Sequence, residues 1–162
     1  MGAYFKCHPK VKFVIKTLIK KKGGSPYPSI AEFTKKINLL KKYLGDFIPE
    51  TEILCDGKHI GVKQAKVEGD DLFHYLKENK PQRFDDFLLG LTNLYKETGM
   101  LPDLLNKGNI LVTASGEIKI IDIWPLFFEK RVKTSDINKE SYEENLGKFG
   151  TLKKQHTKKS LP

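Results

Sequence analysis

The sequence contains few cysteines and no long apolar run. Its two cysteines, Cys7 and Cys55, are too few for a disulfide framework, and in a reducing compartment both are most simply free thiols. No run of about 18 apolar residues is present, which excludes a membrane-spanning helix. The lysines interleaved in "MGAYFKCHPKVKFVIK" do not fit the continuous apolar core of a signal peptide. We therefore expect a cytoplasmic protein with no membrane partner.

Arginine is nearly absent, although the chain is strongly basic. Among 29 Lys and Arg residues only Arg83 and Arg131 are arginines, and the formal net charge is +9. Because base-edge and bidentate phosphate recognition favour the arginine fork, this composition does not favour specific nucleic-acid binding. Lysine charge still favours weak, salt-sensitive attraction to polyanions, especially through residues 151–162, which we expect to be a basic disordered tail.

The length of 162 residues suits one domain with a sizeable core rather than two domains. Within it, the enrichment of Val, Ile and Phe at 12–19 predicts a strand. Ser29 followed by Glu32 is a capping box, and helical spacing of apolar residues then predicts a helix over 29–44 that ends at Gly45. The apolar positions of this helix are Ile30, Phe33, Ile37, Leu40 and Leu44.

The middle of the chain predicts a β-hairpin and two helices. Strands at 50–55 and 59–67 flank the turn at 56–58, and Asp70 is placed to cap a short helix. A longer helix is predicted over 81–98, with Pro81 at its start and Gly99 as its stop, and a further helix at 139–147. The order strand, helix, two strands, connector, two helices, hairpin is typical of the α+β class.

The stretch "NILVTASGEIKIID" predicts a hairpin with candidate metal ligands at its open end. With Ser115 and Gly116 at the centre of the turn, Asn109 faces Asp122, and their Cβ atoms lie about 5 Å apart. An amide oxygen and a carboxylate at that separation suit one hard cation, Mg²⁺ or Mn²⁺, which keeps other positions for water or phosphate. Taken singly, each residue also has a structural interpretation, because Asn often makes turns and Asp often caps the next element.

A family resemblance supports the metal-binding interpretation of this hairpin. "DLLNKGNILV" followed by "IKIID" resembles the catalytic loop and metal-binding strand of the protein-kinase-like superfamily, where H-R-D-x-x-x-x-N precedes a hairpin that ends in D-F-G. Lys16 in "FVIK" resembles the strand lysine of V-A-I-K, and the helix at 29–44 corresponds to the one that supplies its glutamate partner, here Glu32. Residues 67–69 would be the hinge, and the helix at 81–98 would lead into the catalytic loop.

The resemblance implies a role for each matching residue. Lys16 would hold the α- and β-phosphates of ATP, steadied by Glu32. Asp103 would accept the proton from a substrate hydroxyl, and Asn109 with Asp122 would hold Mg²⁺. Catalysis in this class rests largely on positioning and charge neutralisation, so this small set can suffice.

The resemblance also implies a two-lobed fold and an activity. Residues 1–150 would form one kinase-like domain, with a reduced N-terminal lobe at 1–68, made of a sheet and one helix. The C-terminal lobe at 69–150 would be short and helical, and would carry the catalytic-loop hairpin. The implied activity is an ATP- and Mg²⁺-dependent phosphotransferase acting on a protein hydroxyl or a small molecule.

The sequence departs from the family pattern at several points, which leaves alternatives open. Five residues separate Asp103 from Asn109 instead of four, Ile123 and Trp124 replace Phe-Gly, and no glycine-rich loop precedes Lys16. A pseudokinase that binds or regulates without phosphotransfer is the first alternative, in which a partner chain would complete the N-terminal lobe. The second is a basic nucleic-acid-associated protein whose hairpin is purely structural.

Overall fold

A computed structural model describes residues 4–9, 12–19, 29–55, 60–123, 126–128 and 136–158. Its first half contains one helix and a four-stranded antiparallel sheet with the strand order β1, β2, β4, β3. The predicted strand at 12–19 and the predicted hairpin that follows the helix are confirmed, whereas β1 was not predicted. In chain order the elements are β1 (Tyr4–Pro9), β2 (Phe13–Ile19), α1 (Ile30–Leu44), β3 (Thr51–Cys55) and β4 (Ile60–Ala65).

Helix α1 buries one apolar face against the core, as its spacing predicts. The fully or almost fully buried residues of that face are Phe33, Ile37, Leu40 and Leu44. Ile30 is 44% exposed and lies outside the buried stripe. The backbone of Ser29 accepts the hydrogen bond of the Phe33 N–H at 3.0 Å, as expected of an N-cap. The helix ends at Leu44, which confirms the predicted stop at Gly45, and Gly45 itself begins a 3₁₀ turn, Gly45–Phe47, without a left-handed φ.

The second half combines helices with short antiparallel strands. The strands β5, β7 and β8 form one small sheet, and β6 pairs with β9. The whole arrangement is mixed α and β and compatible with the α+β class. The elements are β5 (Asp70–Asp71), α2 (Leu72–Tyr75), α3 (Phe84–Thr98), β6 (Met100–Pro102), β7 (Ile110–Val112), β8 (Ile118–Ile120), β9 (Leu126–Phe128) and α4 (Asp136–Lys158).

Helix α3 confirms the predicted apolar face and its stop signal. Gly99 takes a left-handed φ of 66°, and its N–H donates to the Tyr95 carbonyl at 2.8 Å. The helix begins at Phe84 rather than at Pro81, because Gln82 forms an isolated parallel bridge with Glu117 of the hairpin. The buried residues of α3 are Phe84, Phe87, Leu88, Gly90, Leu91 and Leu94.

Helices α1 and α3 approach each other closely at a glycine. A Cβ atom on Gly90 would lie 2.5 Å from the Tyr43 carbonyl oxygen, so only glycine permits this contact. Two turns further along α3, the Tyr43 hydroxyl donates to the Glu97 carboxylate, and this hydrogen bond lowers the pKa of Glu97. The two halves of the molecule are therefore joined through packed helices as well as by the connecting chain.

Helix α4 corrects the predicted boundary of the domain. It continues to Lys158, so residues 151–158 are helical, and the expectation of a disordered tail beginning at 151 is wrong for them. Phe149 and Leu152 lie three residues apart on the face that is buried, and the ring of Phe149 contacts that of Tyr95 at a centroid distance of 6.0 Å. The lysines that flank them, Lys148, Lys153 and Lys154, hid this short apolar face. None of the helices in the described part of the chain is long and apolar enough to cross a membrane.

Gly147 gives a test of this helix assignment. It lies inside α4, is exposed, and would place a Cβ atom in open space. We expect Gly147→Ala to raise the free energy of unfolding by about 1 kcal/mol, because alanine loses less backbone entropy in a helix. Urea denaturation of the variant and the wild type measures this. A loss of stability would contradict a helical backbone at this position.

Candidate functional site

The β7–β8 hairpin, which was predicted to carry the metal site, forms with a different register. Val112 pairs with Ile118, and the Thr113 N–H donates to the Glu117 carbonyl at 2.9 Å. The loop therefore has three residues and ends at Gly116, which takes a left-handed φ of 84°. The predicted turn had two central residues, so the observed pairing differs from the predicted pairing by one position. The prediction that Asn109 faces Asp122 is therefore wrong.

Asn109 and Asp122 are nevertheless neighbours at the open end of the hairpin. The Asn109 carbonyl accepts hydrogen bonds from the N–H groups of Ile121, at 2.7 Å, and of Asp122, at 3.4 Å. The Asn109 side chain donates from Nδ2 to the Asp103 carbonyl at 3.2 Å. Because Nδ2 is engaged in this bond, Oδ1 is the atom of the amide that could serve as a metal ligand. The structure therefore brings together two of the predicted site residues.

Lys16 reaches the same place from the sheet. It pairs with Val62 across β2 and β4, so both side chains lie on one face of the sheet, and Val62 is only 1% exposed. Lys16 Nζ donates to the Ile121 carbonyl at 2.5 Å, next to Asp122 and 105 positions away in the chain. The predicted partner Glu32 lies in α1, but its side chain is outside the part that the structure describes, so the Lys16–Glu32 pair stays a prediction.

Asp103, the predicted general base, is buried in its own loop. It is 2% exposed, and its Oδ1 accepts the N–H of Leu105 at 2.9 Å. Its Oδ2 accepts a hydrogen bond from the side-chain amide of Asn106. Both carboxylate oxygens of Asp103 thus accept hydrogen bonds from residues two and three positions further along the chain. A substrate hydroxyl would reach this carboxylate only after the side chain had rotated out of these bonds.

Two residues that support the loop were not identified from the sequence. Asp71, rather than the predicted Asp70, caps α2 by accepting from the N–H of Phe73 at 3.0 Å, while its other oxygen accepts from the N–H of Gly108 at 3.1 Å. Asn145 of α4 is fully buried beside Asp103. The sequence gave no basis for choosing Asp71 over the adjacent Asp70 as the cap. No local sequence feature distinguishes Asn145 from the other polar residues of its helix.

Asp122 and Asn109, at the end of the hairpin, could hold a magnesium ion only together with other ligands, such as phosphate. Asp122 and Asn109 are half-buried and supply carboxylate and amide oxygens, which are the ligands that Mg²⁺ prefers. In the described ranges, no three His, Cys, Asp or Glu side chains are grouped so that they could hold a metal ion. The donor set therefore suits an ion that is also bound by a nucleotide, rather than one held by protein ligands alone.

Comparison with known proteins adds no family assignment. No protein-family model matches the sequence, and no curated protein matches it either. Interpretation of the site therefore rests on its residues and their geometry.

Proposed function

We propose that this chain is a kinase-like phosphotransferase with a two-lobed fold, which uses ATP and Mg²⁺ to phosphorylate a protein hydroxyl or a small molecule. The observation that carries the proposal is the contact between Lys16 and the Ile121 carbonyl. Lys16 donates to the carbonyl of the residue before Asp122, across the boundary between the sheet and the helical half, which supports a shared site. A lysine, a carboxylate and an amide are the parts that nucleotide phosphates and their metal ion require.

The roles of these residues follow from their chemistry. Lys16 would exchange the Ile121 carbonyl for phosphate oxygens of the nucleotide, because an ammonium group makes stronger hydrogen bonds to anions than to neutral carbonyls. Asp122 and the Oδ1 of Asn109 would hold Mg²⁺, which supplies charge neutralisation to the phosphates when it is bound. Glu32 of α1 would steady Lys16, as the resemblance implies.

Asp103 would act as the general base of the transfer. The substrate oxygen forms a bond to the γ-phosphorus, the bond from that phosphorus to the ADP oxygen breaks, and the hydroxyl proton passes to the Asp103 carboxylate. This step requires the carboxylate to leave the Leu105 and Asn106 donors that it now engages. The backbone of Asp103 is already fixed beside Asn109 by the Nδ2 hydrogen bond.

A second candidate function is a pseudokinase, a binding or regulatory module that holds nucleotide without transfer. The burial of Asp103 at 2% exposure favours it, since a base that stays in its loop cannot reach a substrate. In this alternative a partner chain would complete the N-terminal lobe, and the hairpin would serve in binding alone.

The nucleic-acid alternative has less support. Several of the described lysines are paired with acidic residues on different elements, as Lys42 with Glu97 and Lys63 with Glu52. A basic face for nucleic acid requires clustered, unneutralised cations along one surface.

Calorimetric titration with Mg²⁺-ATP, beside a metal-free control, tests the proposal. We expect metal-dependent binding by the wild type. In Lys16→Met the affinity should fall about tenfold or more, because one charge-assisted hydrogen bond to phosphate is lost. Lys63→Met is the matched control: Lys63 lies on the neighbouring strand β4 with a side chain pointing to the other face, where it pairs with Glu52. Absence of binding by the wild type, or equal losses in both variants, would contradict the proposal.

A further inference from the structure

Asn145 of α4 holds the backbone on both sides of Asp103. Its Nδ2 donates to the Pro102 carbonyl at 2.9 Å, and its Oδ1 accepts from the Leu104 N–H at 2.7 Å. The side-chain amide thus pairs with the main chain as a neighbouring strand would. Asn145 is 0% exposed, so each of these groups would be costly to leave without a partner.

The helix that carries Asn145 is anchored independently of the loop. On one side of Asn145, the hydroxyl groups of Tyr142 and Tyr95 are 3.2 Å apart. On the other side, Phe149 packs edge-on against the same Tyr95 ring at 62°. Both contacts attach α4 to α3. The packing of these helices therefore fixes where Asn145 binds the loop.

We infer that Asn145 is a positioning residue for phosphoryl transfer, which fixes the main chain at Asp103 while leaving its carboxylate able to rotate. The inference rests on the proposed function. The two Asn145 hydrogen bonds go to Pro102 and Leu104, whereas the Asp103 carboxylate accepts from Leu105 and Asn106 among the residues that the structure describes. One set of hydrogen bonds therefore holds the main chain, and a separate set holds the carboxylate.

Substitution of Asn145 should lower turnover without a matching loss of nucleotide binding. Phosphate release from saturating Mg²⁺-ATP, with water as the acceptor, is the readout. In Asn145→Ala we expect kcat to fall about 100-fold, as for a displacement of the base by about 1 Å. The KM for Mg²⁺-ATP should change less than about threefold, because Lys16 and Asp122 keep their places.

Gly147→Ala is the control within α4, since it changes the same helix two residues away and touches nothing near Asp103. Its kcat should equal that of the wild type. Unchanged kcat in Asn145→Ala, or parallel losses of kcat, nucleotide affinity and melting temperature, would overturn the inference, as would nucleotide binding without turnover by the wild type. A wild type that does not bind Mg²⁺-ATP would instead refute the proposed function itself.

Discussion

Replacement of Gly90 by alanine is expected to lower the free energy of unfolding by about 3 kcal/mol, at the upper end of what overpacking costs. A Cβ atom there would lie 2.5 Å from the Tyr43 carbonyl oxygen and 2.8 Å from Cδ2 of Leu44. The Leu44 methyl can move, but the carbonyl belongs to the backbone of α1. Relief of the clash therefore requires α1 and α3 to separate, which loosens the core between them.

Urea denaturation measures this effect, and Gly147→Ala is its control. Both variants gain the higher helix propensity of alanine, about 1 kcal/mol, because both glycines lie inside helices. Only Gly90 meets a neighbouring helix. The two substitutions should thus change stability in opposite directions. A Gly90→Ala variant as stable as Gly147→Ala would contradict the close approach of α1 and α3.

Local periodicity accounts for the elements that the sequence predicted well. The apolar spacing of α1 and α3 marks the faces that are buried, because each residue three or four positions on lies over the same surface. The β3–β4 hairpin follows from two β-rich runs around one turn. Gly90, by contrast, looks in the sequence like an unfavourable residue inside a helix. Glycine is required there because the carbonyl of Tyr43 lies close by, and periodicity cannot reveal this contact.

The strand pairs that were missed carry no turn motif in the sequence. Strand β6 pairs with the distant strand β9, and β1 pairs with its neighbour β2. In the β7–β8 hairpin, one extra loop residue, Ala114, separates the predicted register from the observed one. Since a shift of one residue exchanges the faces of a strand, this small difference changed which residue lies opposite Asn109.

The candidate site also combines residues that the sequence identified with contacts that it could not predict. The resemblance linked Lys16 and Asp122 from distant parts of the chain, and Lys16 contacts the carbonyl of Ile121, the residue before Asp122. The burial of Asp103 and its support by Asn145 depend on α4, whose packing face consists of few apolar residues among many polar ones. A loop that is held by a distant helix shows no pattern of this support in its own sequence.

Replacement of Asp122 by alanine is expected to abolish metal-dependent nucleotide binding and to lower turnover about 1,000-fold, as when a principal electrostatic group is removed from an active site. The carboxylate is the strongest metal ligand at the end of the hairpin, and the amide of Asn109 cannot replace its charge. Stability should change by about 1 kcal/mol or less, because Asp122 is half-buried and lies beyond the last residue of β8. Calorimetry with Mg²⁺-ATP and urea denaturation measure the two effects separately.

Glu117→Ala is the matched control for Asp122. Glu117 is an exposed carboxylate of the same hairpin, but it lies at the turn, away from Asn109 and Lys16. Its removal should leave the metal dependence of binding unchanged, whereas a general effect of negative charge on a basic protein would appear in both variants. Because Asp122 and Lys16 would both act on the same phosphates in the proposed site, the Asp122 variant should also lose the dependence of nucleotide affinity on Lys16. Unchanged Mg²⁺-ATP affinity in Asp122→Ala would contradict both kinase-like interpretations of the hairpin and leave the Lys16 contact as a structural link between the sheet and β8.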